Sequence, residues 1–157
     1  MGEGTNVTIS RAGEADIAAL CNFESQARVT EPGVLSAEFD EELYAHFLDS
    51  LRLSSSRDSA ILIAAEGNRL VGRCDVAIIR STMDGMVTGY IDWIYVLKPS
   101  RCQGIAARLL LAAEGFFRDA GCKRYYLFTA DNEEAQAFYH RNPSLSFARR
   151  EVAEKVL

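Results

Sequence analysis

The spacing of apolar residues along the first third of the chain predicts one short strand and two helices. Apolar and polar residues alternate at positions 7–9, which is typical of a strand. At positions 17–23 the apolar residues are three or four apart, which predicts a helix. A loop signal at 31–33 precedes a second helix. The apolar face of this helix is formed, at four-residue steps, by Phe39, Leu43, Phe47 and Leu51.

From residue 60 onward the pattern becomes that of strands and then alternates with helices. The apolar runs at 60–65 and 70–79 flank Gly67-Asn68 and predict a hairpin, and 87–96 supplies a third long strand. Further elements are predicted in order: a helix at 104–120, a strand at 123–129, a helix at 133–141, and one or two strands within 145–156. The expected fold class is α/β (α+β), a mixed and mostly antiparallel sheet of six to seven strands flanked by about four helices. No linker or repeat divides the chain, so residues 1–157 are predicted to form a single domain.

Composition and charge narrow the class of protein. The chain has 157 residues, of which 48% are hydrophobic, and a formal net charge of -5, which argues against nucleic acid as the main partner. The start lacks a signal peptide and no stretch is apolar enough for a membrane span, so neither a membrane association nor secretion is expected. Four scattered cysteines indicate reduced thiols and a cytoplasmic location, and two histidines are poor material for a metal site.

The connection from the third long strand to the following helix has the chemistry of an anion site. Pro99 ends the strand pairing, and Gly104 and Ala106 open a helix without bulky side chains. Unpaired N–H groups and the macrodipole at a helix start attract phosphate, and Arg101 could add a charge-assisted contact. The alternative is an ordinary tight connection in which small residues only allow close packing. We call residues 98–104 the glycine turn.

Two segments together resemble the GNAT superfamily of N-acetyltransferases. Arg101-x-x-Gly104-x-Ala106, after a strand ending Ile94-Tyr95-Val96, resembles the Gln/Arg-x-x-Gly-x-Gly/Ala signature with which that family holds the pyrophosphate of coenzyme A. Residues 132–139 resemble the family's Asn-x-x-Ala-x-x-Phe-Tyr helix. The resemblance implies acetyl-CoA as the cofactor. It implies that these residues bind it: Ile94, Tyr95, Val96, Arg101, Cys102, Gln103, Gly104, Ile105, Ala106, Asn132, Ala135 and Tyr139.

The sequence departs from the family pattern in two places. Ala106 replaces the more frequent second glycine, which the pattern tolerates. Residues 142–147 replace a short Gly-Phe ending with a longer segment that has no glycine. Because this loop often borders the acceptor in the family, the departure bears on the acceptor more than on the cofactor.

Acetyl transfer to an amine requires an oxyanion donor and a proton for the leaving thiolate. The resemblance implies a main-chain donor near Tyr95 or Val96, where the strand bulges, and Tyr139 as the acid. Tyr139 could alternatively only pack beside Phe138. Asn132 is expected to cap its helix as well as to contact the cofactor.

Asp92 is the candidate base or acceptor-binding group, since aspartate is disfavoured inside a strand. Strand alternation would place it on one face with Tyr90, Ile94 and Val96, next to the expected thioester. A solvated carboxylate is the plain alternative. Tyr90 is expected to wall the acceptor pocket, and Glu31 is a candidate acceptor contact because the early helices cover the acceptor in this family.

These observations predict an enzyme that transfers acetyl from acetyl-CoA directly to a primary amine of a small molecule such as an antibiotic, a polyamine or an amino acid. Acetylation of a protein N-terminus or lysine is the catalytic alternative, and a coenzyme A-binding module without turnover is another. The hypothesis of a nucleotide-binding domain is less favoured, because no Gly-Lys-Ser/Thr follows the turn. A homodimer is suggested only by analogy with the superfamily.

Overall fold

The computed structural model describes residues 6–33, 35 and 38–157 and forms two compact units. The first unit runs to Leu127, and the second is Phe128–Leu157. The elements of the first unit are β1 Val7–Arg11, α1 Ile17–Thr30, α2 Glu41–Ser50, β2 Ser59–Glu66, β3 Arg69–Arg80, β4 Val87–Val96, α3 Ile105–Asp119 and β5 Tyr125–Leu127. Short 3-10 turns occupy Glu14–Asp16 and Lys98–Ser100. The second unit contains α4, Glu133–His140. That the chain is a single domain stays a prediction.

The sheet of the first unit has the order β1-β2-β3-β4-β5. The first four strands are antiparallel neighbours, and β5 pairs with β4 in parallel. A left-handed glycine, Gly67 (φ 59°), makes the tight turn between β2 and β3, as Gly67-Asn68 predicted. The mixed, mostly antiparallel sheet is therefore confirmed.

Helices cover both faces of this sheet. On one face, α1 and α2 bury a cluster in which Leu20, Phe23 and Leu48 pack with residues of β2 and with Tyr95 of β4. On the other face, α3 approaches the strands closely because glycines lie beneath it. A Cβ at Gly89 would lie 2.5 Å from the Phe117 ring, which no side chain could tolerate without a shift. These two layers fix the position of β4 and of the turn that follows it.

Among the described residues the sheet has five strands rather than the predicted six to seven, because the predicted strands in the tail do not form. Residues 145–157 contain no strand, and Phe147 and Val152 are largely exposed. The tail alternates only weakly and carries charges at Arg149, Arg150 and Glu151, so a paired strand would bury little apolar area.

The apolar face predicted for α2 is wrong as well. Leu43 is 68% exposed and Phe47 is 55% exposed, whereas Leu48 is fully buried and Tyr44 packs partly against the core. Successive residues of a helix differ by about 100° around its axis, so a series shifted by one residue lies on a neighbouring face. Four-residue spacing alone does not distinguish the two faces, and the predicted series lies on the exposed one. The buried face of α3 is formed by Ile105, Leu109, Leu110, Ala113 and Phe117.

The second unit consists of a capped helix and a turn. Asn132 caps α4 by accepting a 2.9 Å hydrogen bond from the backbone N–H of Ala135, which confirms its predicted capping role. After α4, the Asn142 side chain accepts from the backbone N–H and the hydroxyl of Ser144, and His140 stacks on Phe147 at 4.1 Å. In the described part of the chain, no helix is long and apolar enough to cross a membrane.

Candidate active site

The glycine turn joins β4 to α3 through two residues in left-handed conformation. Cys102 has φ 62° and Gly104 has φ 74°, and Gly104 is the residue that precedes the first turn of α3. A left-handed conformation costs a non-glycine residue about 1–2 kcal/mol, so Gly104 is favoured there on backbone grounds alone. In the part of the chain that the structure describes, no side chain caps the N-terminus of α3.

The space beside Gly104 is open. A Cβ built at this position would meet no atom within 4 Å among the described residues, so the glycine is not needed for close packing inside the protein. Close packing therefore does not explain this glycine, whereas its left-handed backbone conformation and an approaching anion both do. The open, uncapped start of a fifteen-residue helix fits the pyrophosphate of coenzyme A, since unpaired N–H groups and the helix dipole both favour an anion there.

Arg101 is engaged within the protein at the start of the turn. Its Nε donates to the carbonyl oxygen of Val96 at 3.0 Å, and both of its Nη atoms donate to the carboxylate of Glu31. The Tyr95 hydroxyl donates to the same carboxylate, and the Arg101 guanidinium lies 5.3 Å above the Tyr95 ring. Burial alone would raise the pKa of Glu31, but the hydrogen bonds from Arg101 and Tyr95 outweigh it and lower that pKa.

A bulge in β4 places Asp92. Trp93 pairs with Asp75 and Ile91 pairs with Val76, so Asp92 is the extra residue between two consecutive pairs. The predicted common face of Tyr90, Asp92, Ile94 and Val96 is therefore wrong, because the bulge reverses the alternation. Tyr90 shares the α1 side of the sheet with Trp93 and Tyr95, whereas Ile94 and Val96 lie on the α3 side. The Tyr90 hydroxyl donates to Asp92 at 3.1 Å.

Beyond the bulge, β4 separates from β5. The parallel pairing covers only Gly89, Tyr90 and Ile91, so the residues from Asp92 onward have no strand on that side among the described residues. The N–H of Leu97 donates to the carbonyl of Val71, so Leu97 lies in a hydrogen-bonded pair of the ladder between β4 and β3. Hydrogen-bonded and non-hydrogen-bonded pairs alternate along an antiparallel ladder, so Tyr95 lies in the next hydrogen-bonded pair and Val96 does not. The N–H of Tyr95 is therefore directed to β3 and that of Val96 to the open side. The contact of the Val96 carbonyl with Arg101 agrees with this orientation.

A cavity of about 280 Å³ lies beside Asp92 on the α1 side of the sheet. Its walls include Glu24, Arg73, Asp75 and Trp93. Arg73, which is only 4% exposed, bonds both oxygens of Asp75 at 2.9 and 2.6 Å and one oxygen of Glu24 at 2.7 Å. Burial raises the pKa of Asp75 against the opposing charge of Arg73, and Glu24 and Asp92 raise it further.

The charges around this cavity do not balance. Three carboxylates, those of Glu24, Asp75 and Asp92, face two guanidinium groups, those of Arg28 and Arg73. Arg28 and Arg73 both pair with Glu24, and Arg73 also pairs with Asp75. Among the described residues Asp92 has no cationic partner. A cation is therefore the charge that the cavity accepts most favourably.

The remaining predicted residues lie in the second unit. Tyr139 is buried, and its ring centroid is 5.2 Å from that of Phe138. The N–H of Ala135 already donates to the capping Asn132.

The sequence reasoning missed Arg73 and Asp75. The available signal was the one that identified Asp92, namely charged residues inside an apolar strand, since Arg73-Cys74-Asp75 interrupts 70–79. Tyr126 was missed too. Its ring lies 5.1 Å from that of Tyr90, and nothing in its sequence context distinguishes it from a residue that only packs.

Comparison with known proteins decides the family. The model of the acetyltransferase (GNAT) family matches residues 20–142, which include the glycine turn, the bulge and α4. The chain belongs to the GNAT acetyltransferase family. The resemblance and the expected enzyme class are therefore confirmed: this GNAT protein is an acetyl-CoA-dependent N-acetyltransferase.

Proteins that are similar to this chain are named for different acceptors. N-alpha-acetyltransferase 30 of Schizosaccharomyces pombe is 30% identical over 118 residues, which are 73% of this chain and 71% of that protein. An aminoglycoside acetyltransferase from an uncultured soil metagenomic sample, solved with sisomicin, has a TM-score of 0.76 at 16% identity and covers 96% of this chain and 97% of its own. The aminoglycoside N-acetyltransferase AAC(6')-Iy, solved with CoA, has a TM-score of 0.74 at 17% identity, and the match covers 99% of this chain and 98% of that one. These two structures share the fold.

Proposed function

We propose that this GNAT protein transfers acetyl directly from acetyl-CoA to a primary amine of a small cationic molecule, which binds beside Asp92. The observation that supports this proposal is the bulge in β4. The bulge turns the exposed carboxylate of Asp92, which has no cationic partner among the described residues, toward a cavity of about 280 Å³, and it lies where β4 parts from β5. Acetyl-CoA supplies the activated acetyl thioester.

The cofactor would be held by the N–H groups at the start of α3 and by the open edge of β4. The N–H of Val96 is directed to that open side and can donate to the acyl oxygen, whereas the N–H of Tyr95 belongs to the ladder with β3. Of the two donors that the sequence suggested, Val96 is therefore the one that we propose. Tyr139 stays the candidate that returns a proton to the sulfur.

Asp92 would accept a proton from the bound ammonium, so that the neutral amine can attack the thioester, or would only bind that ammonium. Its neighbours suit an organic cation: Tyr90 donates to its carboxylate, and the rings of Tyr90, Tyr126 and Trp93 flank it on the same side of the sheet. Aromatic faces attract ammonium groups by about 0.5–2 kcal/mol each.

The α-amine of a protein N-terminus is the second candidate acceptor. It is favoured by the Schizosaccharomyces pombe relative, whose name describes N-alpha acetylation. An N-terminal α-amine is also a cation near neutral pH and could reach Asp92 in the same way. The two candidates differ in what surrounds the amine. A peptide needs room for a continuing chain, whereas a polyamine or an aminoglycoside carries further positive charges.

The test begins with binding and continues with turnover. Acetyl-CoA at about 100 times its dissociation constant should stabilise the fold by roughly 2.7 kcal/mol, whereas ATP and NAD should have no effect. Thiol release is then measured with a panel of polyamines, aminoglycosides, amino acids and N-terminal peptides. Turnover of polycations and not of peptides supports the proposal, and the reverse result supports the second candidate. Binding without turnover of any amine would contradict both.

The role of Asp92 is tested by Asp92→Asn beside Asp49→Asn, an exposed control on α2. Loss of a general base lowers turnover by about 10²–10⁴-fold. We expect Asp92→Asn to lower kcat/KM for the amine by this amount while the affinity for acetyl-CoA stays that of the unmodified protein. Unchanged kcat/KM in Asp92→Asn would overturn the assignment.

A further inference from the structure

The ion pair between Glu31 and Arg101 joins the end of α1 to the glycine turn. Glu31 follows the last residue of α1, and Arg101 is 70 positions further along the chain. We propose that Glu31 is a positioning residue for the cofactor turn, acting through Arg101, rather than a contact for the acceptor amine. This inference rests on the proposed cofactor site.

Both oxygens of the Glu31 carboxylate already accept hydrogen bonds within the protein. Its Oε1 accepts from Nη1 of Arg101 at 3.1 Å, and its Oε2 accepts from Nη2 of Arg101 and from the Tyr95 hydroxyl. The Glu31 side chain is only 14% exposed. To bind an ammonium group, Glu31 would either have to release Arg101, which leaves a partly buried guanidinium without this counter-ion, or hold a second cation beside it, and both are costly.

The guanidinium of Arg101 passes this restraint to the turn. Its Nε donates to the carbonyl of Val96, the last residue of β4. The Arg101 side chain therefore ties the glycine turn to the end of the strand. With Nη1 and Nη2 on Glu31, all three guanidinium nitrogens donate within the protein. The guanidinium also lies 5.3 Å above the centre of the Tyr95 ring, within the range of a cation–π contact.

The turn needs such a restraint because its backbone is strained. Cys102 follows Arg101 directly and has φ 62°, a conformation that costs a non-glycine residue on the order of 1 kcal/mol. Binding an anion with backbone N–H groups is strongest when these groups are already in place, because ordering them on binding lowers the affinity. The pair therefore acts by keeping the turn in its binding conformation before acetyl-CoA arrives.

The experiment measures the affinity for acetyl-CoA by calorimetry without any amine. We compare Glu31→Gln, Arg101→Gln, the double variant and the control Glu42→Gln, an exposed carboxylate of α2. Residues coupled in one network show interaction terms that correspond to several-fold to a hundredfold changes in equilibrium constants. We expect each single variant to weaken binding by about tenfold, the double variant to be no weaker than the singles, and the control to bind normally.

Arg101→Lys distinguishes positioning from charge. Lysine keeps the positive charge but loses both the Nε bond to Val96 and the two-pronged contact with Glu31. It should therefore weaken binding as Arg101→Gln does, and normal affinity would overturn the inference.

Tyr95→Phe removes one hydrogen bond to Glu31 and keeps the ring, so it gives a milder loss in a protein that folds even if Glu31→Gln does not.

Two results contradict the inference without touching the proposed function. One is normal acetyl-CoA affinity in Glu31→Gln together with a raised KM for the amine, which would assign Glu31 to the acceptor. The other is additivity of the Glu31→Gln and Arg101→Gln effects, which would mean that Glu31 does not act through Arg101. Failure of the unmodified protein to bind acetyl-CoA would instead remove the proposed cofactor site itself.

Discussion

Replacing Gly104 by alanine should separate the stability of the fold from its affinity for acetyl-CoA. The added methyl group meets no atom of the described residues within 4 Å, so it creates no clash with them. It does force alanine into φ 74°, which costs about 1–2 kcal/mol. For a domain of this size that corresponds to a fall in Tm of roughly 2–8 °C.

The loss of affinity should be larger than the loss of stability. The methyl group would occupy the space through which a phosphate approaches the N–H groups at the start of α3. A hydrogen bond to a charged group contributes about 1.5–3 kcal/mol, so losing one weakens binding by about ten- to a hundredfold. The dissociation constant is measured by calorimetry at a temperature well below both transitions, so that only folded protein is compared.

Gly121 offers a matched control. It has φ 83°, also has open space where a Cβ would be, and follows the other end of α3. Gly121→Ala should therefore lower Tm by a similar amount and leave the affinity for acetyl-CoA unchanged. If the two variants bind acetyl-CoA equally well, the glycine turn does not hold the phosphates, and the reasoning from its open space is refuted.

Two further predictions concern packing and pH. Gly89→Ala should destabilise the fold by about 1–3 kcal/mol or more, because its Cβ would meet the Phe117 ring at 2.5 Å. Gly115→Ala lies inside α3 with open space around the new Cβ and should stabilise the fold by about 0.5–1 kcal/mol. Urea unfolding measures the free energy of both variants, and equal effects would contradict this packing. The pKa of Glu31 is lower in the folded than in the unfolded state, so its contribution is fully present above the unfolded value of 4.5 and declines as pH falls through the lowered pKa. The stability difference between the unmodified protein and Glu31→Gln should therefore be constant from pH 5 to 7 and shrink below pH 4.5, and a difference that grows in acid would contradict the ion pair with Arg101.

The sequence predicts the sheet well where each strand is defined by its own residues. β2, β3, β4 and the helix after the glycine turn lie close to their predicted ranges, because long apolar runs and turn glycines are local signals. The tail shows the limit of such signals. A strand exists only when a partner pairs with it, and weak alternation in 145–156 does not supply one.

The sequence identified several residues of the candidate site by their type, but it did not predict how they are arranged in space. Asp92 was identified from its residue type, yet its side of the sheet depends on one bulged residue that leaves no mark in the alternation. Arg101 and Glu31 were both selected, the first for the cofactor and the second for the acceptor. Their pairing spans 70 positions, and no local pattern reports a contact over that distance.

Cys102, the left-handed residue two positions before Gly104, gives this enzyme a natural place for a reporter group. The Cys102 thiol is exposed in the glycine turn, whereas Cys21 and Cys74 are buried and burial raises the pKa of Cys74 to about 12. Burial also raises the pKa of the half-buried Cys122, which lowers its reactivity. A maleimide dye would therefore label the turn selectively without any engineered cysteine. Its fluorescence would then follow occupancy of the turn in real time, in the presence of any amine.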